Sequence, residues 1–402
     1  MFSLTRLYPL YLLLLLLPGC GAQTTYQTEP SLQSHAAHTP VVGAERPALY
    51  LPHLKGKRVG VVVNQSSMAF EQHLVDFLRS QSVNITAVFS PEHGFRGDKG
   101  AGESINTEID IATGLPIFSL YGKTRKPTAE MLSDVDVLVF DIQDVGVRFY
   151  TYISSLHLVM EAAAELNKPI VVLDRPNPNI MHVDGPILEP EFKSFVGMHP
   201  IPVLHGMTVA EIANMIKGEA WIDRSDRLSL ISIPVDAYDR KTPYSLPIAP
   251  SPNLPNDISI QLYPSLCFFE PTAVSIGRGT DFPFQVIGHN SIALGSFSFT
   301  PISMPQSAPR PKLQDQALLG LDLRQSLSKG LDLSLLFSTY TKFENHGISF
   351  FTSKSFFDKL AGTDSLRKAL QNGQSIEEVE QSWSQPLESF KKKRLPYLIY
   401  KE

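Results

Sequence analysis

The chain has 402 residues, enough for two domains, and its 43% hydrophobic and 19% charged content is that of an ordinary globular protein. A formal net charge of −5 argues against a nucleic-acid partner, because a phosphate-binding face needs clustered Lys and Arg. The run Lys391-Lys392-Lys393-Arg394 is too short for such a face and reads as a solvated helix end.

Residues 1–19 read as a signal peptide. Arg6 precedes an apolar run from Leu7 to Leu17 that is too short to span a membrane. Leu17-Pro18-Gly19-Cys20 resembles the lipobox of bacterial lipoproteins, with Pro18 an unusual occupant of its position. That resemblance implies cleavage before Cys20 and a lipid on its thiol, which would anchor the chain in a membrane. Gly21 resembles the pattern that sorts lipoproteins to the outer membrane, facing the periplasm. Cys267 then has no disulfide partner and is expected as a buried thiol within Leu266-Cys267-Phe268-Phe269. Residues 20–47 are rich in Thr, Gln, Ser, His, Ala and Pro and read as a flexible tether.

From Lys57 the pattern changes. Arg58 to Asn64, Asn84 to Phe89, Pro116 to Leu120, Asp136 to Asp141 and Pro169 to Asp174 are apolar or β-branched runs, as expected of strands buried on both faces. Helical periodicity covers Ala69 to Ser80 and Tyr152 to Asn167, with a helical turn over Thr128 to Leu132. Thr208-Val209-Ala210-Glu211 has the form of a capping box, and Leu228 to Ile233 is a further strand. Alternating strands and helices imply a parallel sheet, so residues 48–250 are expected to form a doubly wound, Rossmann-like catalytic domain. Six prolines between Pro243 and Pro264 predict an extended connection without helix. Residues 251–402 are expected to form a smaller α+β auxiliary domain, with a strand over 284–287, a mixed stretch over 333–352, and helices near 364–372 and 376–394.

Polar clusters fall at three predicted strand ends. Glu92, His93 and Arg96 follow the second strand. Asp141, Gln143, Asp144 and Arg148 follow the fourth, with Tyr150 and Tyr152 beyond. Asp174, Arg175 and Asn177 follow the fifth. In a parallel sheet such ends share one edge, where ligands bind. The carboxylates suit glycoside hydrolysis, with Glu92 as proton donor and Asp141 or Asp144 as a second charge, while the arginines suit bidentate capture of a substrate carboxylate. Arg278, between Gly277 and Gly279, is expected to face the cleft between the domains. No G-x-G-x-x-G follows the first strand, no paired-Cys or H-E-x-x-H spacing supports a metal site, and Ser326-Leu327-Ser328-Lys329 has no partner motif. No cofactor or metal is expected, although His93, Glu92 and Asp141 are types that suit a divalent ion.

With these residues in view, residues 48–402 resemble the DUF1343 family, the exo-β-N-acetylmuramidases of the NamZ type. The resemblance rests on Val63-Asn64-Gln65-Ser66, Ser90-Pro91-Glu92-His93-Gly94-Phe95-Arg96-Gly97, Ser119-Leu120-Tyr121-Gly122 and Phe140 to Tyr152. It extends to Leu173-Asp174-Arg175-Pro176-Asn177-Pro178, Gly277-Arg278-Gly279-Thr280 and the terminal Tyr397-Leu398-Ile399-Tyr400. It implies a Rossmann-like domain with an auxiliary domain and a cleft between them. It also implies release of terminal N-acetylmuramic acid from the non-reducing end of peptidoglycan-derived muramyl saccharides. The glutamate of the P-E-H-G motif, here Glu92, is implied as general acid. The second catalytic group is Asp141, Asp144 or the substrate's own acetamido group, and His93, Arg96, Gln143, Arg148, Tyr150, Asp174, Arg175 and Arg278 are the expected substrate contacts. Two rival readings are a non-catalytic cell-wall-binding lipoprotein and a metal-dependent hydrolase of another bond.

Overall fold

The runs that lack a polar face become strands because only a sheet covered on both sides can bury them. The computed structural model describes residues 39–92, 94–95 and 108–401. The predicted signal peptide and Cys20 lie outside these residues, as do His93 and Arg96. The chain order begins with α1 (Pro47–Leu54), β1 (Arg58–Val63), a ribbon of β2 (Met68–Ala69) and β3 (Gln72–His73), α2 (Leu74–Ser80), β4 (Asn84–Ser90), β5 (Glu108–Ile109) and β6 (Pro116–Ser119). It continues with β7 (Val137–Asp141), α3 (Tyr152–Glu165), β8 (Ile170–Leu173), α4 (Val209–Gly218) and β9 (Leu230–Ile233). Then come α5 (Asp257–Leu266), β10 (Val286–His289), β11 (Phe297–Phe299), β12 (Leu318–Asp322), α6 (Ser334–Asn345), α7 (Lys354–Ala361), α8 (Ser365–Gln371) and α9 (Ile376–Arg394).

Among the described residues the main sheet has the order β5-β6-β4-β1-β7-β8-β9. All neighbours pair in parallel except the edge strand β5, which runs antiparallel to β6. The chain starts mid-sheet at β1, steps outward through β4 to β6, then returns to the other side of β1 for β7, β8 and β9. This is the doubly wound order, and its reversal point lies between β1 and β7. The crevice beyond their carboxyl ends is where such a sheet takes a ligand.

Alternation along the strands divides the core. Val62, Phe89, Leu138, Phe140 and Val172 face a cluster that includes Leu156 and Met160 of α3 and Ile212 and Ile216 of α4. Val61, Val63, Val88, Val139 and Val171 face Tyr50 and Leu54 of α1 and Leu74 and Leu78 of α2. The first cluster continues without a break into Phe268, Phe343, Phe357 and Trp383, so the auxiliary part shares the core of the sheet domain. The auxiliary part has its own antiparallel sheet, β10-β12-β11. Its α9 carries Lys391, Lys392 and Lys393 in the last turn, the predicted solvated end. Arg394 departs from that reading: it is buried and donates to the Gly206 carbonyl at 2.6 Å.

Four expectations are corrected. The tether predicted to reach residue 47 ends earlier: Val41 pairs with Asp236, Gly43 N–H donates to the Asp174 carbonyl at 2.8 Å, and Ala44 is fully buried. The helix predicted from Ala69 starts at Leu74. Phe70 and Glu71 have positive φ, and this left-handed pair turns β2 back into β3. The proline-rich connection contains α5, because Asn256 caps it by accepting from Ser259 N–H at 3.0 Å. Pro264 sits in its last turns, where a lost backbone donor is cheapest to replace by packing. Helix α7 lies in a stretch assigned no element from sequence, with an amphipathic face that buries Phe357 and Leu360. Among the described residues no helix is long and apolar enough to cross a membrane.

Candidate active site

Three loops at the carboxyl edge build the site. After β1, Asn64 folds its amide over the turn, accepting from Ser66 N–H at 2.9 Å and Ser66 Oγ at 2.6 Å. Ser66 Oγ in turn accepts from Gln143 N–H at 3.0 Å, and Ser67 Oγ donates to the Asp141 carbonyl, so the loops after β1 and β7 are tied together at the reversal point. After β4, Pro91 directs the chain so that Glu92 enters a pocket. Phe149, Tyr150 and Tyr152, from the start of α3 and the loop before it, form one wall. Ser251, Asn253, Tyr263, Arg278 and Phe284 form the other. Among the described lining residues Glu92 is the sole carboxylate.

The polar groups around Glu92 are mostly donors. Tyr121 is held up to about 12 by burial, then by the charge of Glu92 and a hydrogen bond to it, so its phenol stays protonated beside that carboxylate. Burial, and then the charge of Glu92, also raises Tyr152 far above the usual phenol range. Tyr152 Oη and Asn64 Nδ2 are buried without a well-formed hydrogen bond. Asn253 donates Nδ2 to the Ser307 carbonyl at 2.8 Å and leaves Oδ1 unpaired. A buried polar atom without a partner costs roughly 1–3 kcal/mol, so these atoms are candidate ligand contacts. Arg278 is oriented by Glu270, which accepts from Nε at 2.7 Å and pairs with Nη2 at 2.6 Å. Its guanidinium lies 5.0 Å from the Phe284 ring centroid. Positive φ at Gly277 and Gly279, where an added Cβ would meet neighbours at 2.6 and 2.5 Å, brings this turn close against its surroundings.

Tyr150, Tyr152 and Arg278 share the lining with Glu92, whereas Asp141, Gln143, Asp144, Arg148, Asp174 and Arg175 do not. Asp141 is fully buried at the end of β7 and accepts from Arg175 Nε at Oδ1, 2.6 Å, and from Arg175 Nη2 at Oδ2, 2.8 Å. The expected second charge and the expected clamp therefore neutralise each other. Arg175 and Gln143 line a different pocket, near Thr39 and Tyr244. Asp174 is also fully buried. It accepts from Thr208 Oγ1 at 2.7 Å, Ala210 N–H at 3.0 Å and Tyr400 Oη at 2.6 Å, and so ties α4 and the chain's end to the sheet. Arg148 is fully buried and donates Nη1 to the Pro186 and Ile201 carbonyls and Nη2 to the Leu360 and Ala361 carbonyls, all at 2.7–2.9 Å. It has no reach toward a substrate carboxylate. Tyr150 does line the pocket, its hydroxyl donating to the Pro250 carbonyl at 2.9 Å.

Asp144 lies outside the lining. Its Oδ2 accepts from Gly146 N–H at 2.7 Å and sits 3.9 Å from His205 Nε2, and Oδ1 has no partner. Burial pushes its carboxyl up to about 7 against the opposing pull of the Gly146 and Val145 N–H groups. Burial, followed by Arg394, Arg148 and Arg240, lowers His205 to about 3, so that ring is neutral. Because the folded state holds the Asp144 proton longer than the unfolded chain does, this group's contribution to stability is complete below the ordinary carboxylate range and is lost as pH rises toward 7. Asp144→Asn keeps the shape without the charge. It is expected to gain about 1 kcal/mol per pH unit relative to wild type between pH 5 and 7. Urea unfolding at both pH values checks this, and parallel profiles would show that Asp144 does not carry that proton.

The missed lining residues are informative. Ser251 and Asn253 lie in the proline-rich stretch read as a mere connection. Polar residues packed among prolines were the available signal, since prolines hold a loop in one shape.

Two family descriptions match consecutive stretches: the N-terminal part of exo-β-N-acetylmuramidase NamZ over residues 59–258 and its C-terminal part over residues 261–400. The chain belongs to the NamZ family. A peptidoglycan β-N-acetylmuramidase NamZ of Bacillus subtilis is 39% identical, over 94% of this chain and 96% of that protein. A crystal structure of a DUF1343 family protein from Bacteroides fragilis superposes with a TM-score of 0.83 at 44% identity, covering 91% of this chain and all of the other. A second protein of that family from the same organism gives 0.77 at 29% identity, covering 90% and 99%. The Rossmann-like sheet with an auxiliary part is thus the architecture of NamZ-type enzymes, a family with hydrolytic activity.

Proposed function

We propose that the chain is an exo-acting glycoside hydrolase that releases terminal N-acetylmuramic acid from the non-reducing end of peptidoglycan fragments. The observation that carries this reading is Glu92. It is the one carboxylate among the described lining residues of a pocket rich in aromatic rings and hydrogen-bond donors, beyond the carboxyl end of β4 in a NamZ-family chain. In this reading Glu92 protonates the leaving oxygen. In the same reading the substrate's acetamido oxygen is the nucleophile, one of the known departures from the two-carboxylate scheme. Asn253 Oδ1, as acceptor for the acetamido N–H, and Tyr152 Oη, as donor, are unspent and suited to orient that group.

Arg278 is the pocket's cation, and its Nη1 makes no hydrogen bond among the described residues. It takes the role first expected of Arg96, Arg148 and Arg175, capture of the lactyl carboxylate; Arg96 lies outside the described residues. Replacing the lactyl ether by a hydroxyl is expected to lower kcat/KM by about a hundredfold, the scale of one charge-assisted pair. Equal kcat/KM for a muramide and a glucosaminide would sink the clamp. Hydrolysis of a chromogenic muramide with and without chelator tests the reading as a whole. No product favours the binding-protein reading, and product lost with chelator favours the metal-dependent one.

The lipid anchor on Cys20 completes the proposal. In cells, the wild-type protein is expected in the detergent phase of a phase-separating extract and Cys20→Ala in the aqueous phase. An aqueous wild type would remove the anchor.

A further inference from the structure

A second, larger pocket adjoins the first. Arg278 lines both. The hydrogen bond from Asn253 Nδ2 to the Ser307 carbonyl joins a residue of one lining to a residue of the other, so the two spaces share a wall. The second pocket is lined by Arg278, Arg310 and Lys312 against the single carboxylate of Glu270, in a chain whose net charge is −5.

The three cations are not equivalent. Lys312 donates Nζ to the Phe269, Glu270 and Val274 carbonyls at 3.0, 3.1 and 2.8 Å, which uses all three of its N–H bonds. It supplies field but no donor. Arg278 has two of its nitrogens engaged by Glu270. Arg310 is exposed at the rim and its guanidinium has no partner among the described residues. A free guanidinium over a pocket whose floor is already cationic presents a fork that matches a carboxylate.

We propose that this pocket is an acid-receiving subsite, holding a carboxylate-bearing chain attached to the sugar that occupies the Glu92 pocket, with Arg310 as its donor. The inference rests on the muramidase reading for the identity of that sugar. Two parts of a muramyl substrate carry such a chain: an acidic peptide extending the terminal sugar's own lactyl group, and the acid group of the next muramyl unit on the leaving side.

The test is equilibrium binding, so that it does not depend on turnover. Muramic acid extended by L-Ala-D-Glu, a glucosaminyl-muramic acid, and the fully amidated counterpart of each are titrated by calorimetry into wild type and Arg310→Glu. The exposed, unpartnered Arg310 makes this variant safe for folding. The wild type is expected to bind an acid about tenfold more tightly than its amide, and Arg310→Glu to erase the difference. A preference seen for the extended lactyl chain assigns the subsite to the terminal sugar. A preference seen for the glucosaminyl-muramic acid over its amide assigns it to the leaving side. Equal binding of acid and amide by the wild type, or a preference that survives Arg310→Glu, overturns the subsite. Absence of hydrolysis of the chromogenic muramide would instead count against the muramidase reading.

Discussion

Glu92→Gln is expected to lower kcat on a muramyl saccharide by about 10³-fold or more, roughly 4 kcal/mol of transition-state stabilisation, while the circular dichroism spectrum stays that of the wild type. The fold should survive because Glu92 is half-buried in a loop beyond β4, and its polar neighbours belong to a pocket rather than to the core. The leaving group supplies an internal control. A sugar alkoxide cannot depart without a proton, whereas a nitrophenolate departs easily. The loss should therefore be far smaller on a nitrophenyl muramide than on a disaccharide. Equal losses on both substrates would mean that Glu92 positions the sugar and does not protonate it. The neighbouring phenols of Tyr121 and Tyr152 do not offer a substitute acid, since burial, the larger cause of their raised pKa, persists in the variant and holds their protons tightly.

The largest effect on stability is expected at Arg148. Its guanidinium joins the Pro186 and Ile201 carbonyls to those of Leu360 and Ala361, which lie 212 and 213 residues beyond Arg148 itself. Arg148→Met would leave all four buried oxygens without this partner, at roughly 1–3 kcal/mol each. The sum approaches the whole stability of a typical domain, so loss of about 4 kcal/mol or failure to fold is expected. Arg148→Lys keeps the charge but has only three donors and no planar fork, and should fold with an intermediate loss. Chemical denaturation reads both variants. If Arg148→Met unfolded within 1 kcal/mol of wild type, the staple between the two parts of the chain would be of no consequence. The geometry around it argues otherwise: Gly362 has positive φ, and a Cβ there would lie 2.6 Å from Arg148 Nη2.

The sheet was legible because its strands are buried on both faces and so read as unbroken apolar runs. The capping box at Thr208 was legible because its chemistry is local, and the structure has both of its bonds. The start of α2 was not, because Phe70 and Glu71 adopt left-handed φ without a glycine to announce it. Helix α5 was hidden by the prolines around it, whose meaning depends on position: Pro255 precedes the cap, and Pro264 falls near the helix end.

The placing of Glu92 in the candidate pocket is legible from the sequence and the direction its neighbours take is not, for one physical reason. Sequence position tells which residues reach the carboxyl edge of the sheet but not which way they turn there. Of the charged residues predicted at that edge, Glu92 enters the pocket. Asp141 and Arg175 turn inward to each other, Asp174 turns to α4 and Tyr400, and Arg148 turns to four carbonyls. The cation that does share the pocket, Arg278, comes from the auxiliary part, beside a glycine turn that carried only a weak signal.

The central claim is tested most directly by the products from two defined glycans of equal length, one ending in N-acetylmuramic acid and the other in N-acetylglucosamine at the non-reducing end. Mass spectrometry after incubation with wild-type enzyme should show free N-acetylmuramic acid from the first, with a chain one sugar shorter, and no change in the second. Internal fragments from either glycan, or release of the terminal sugar from both, would contradict an exo-acting muramidase built around Glu92.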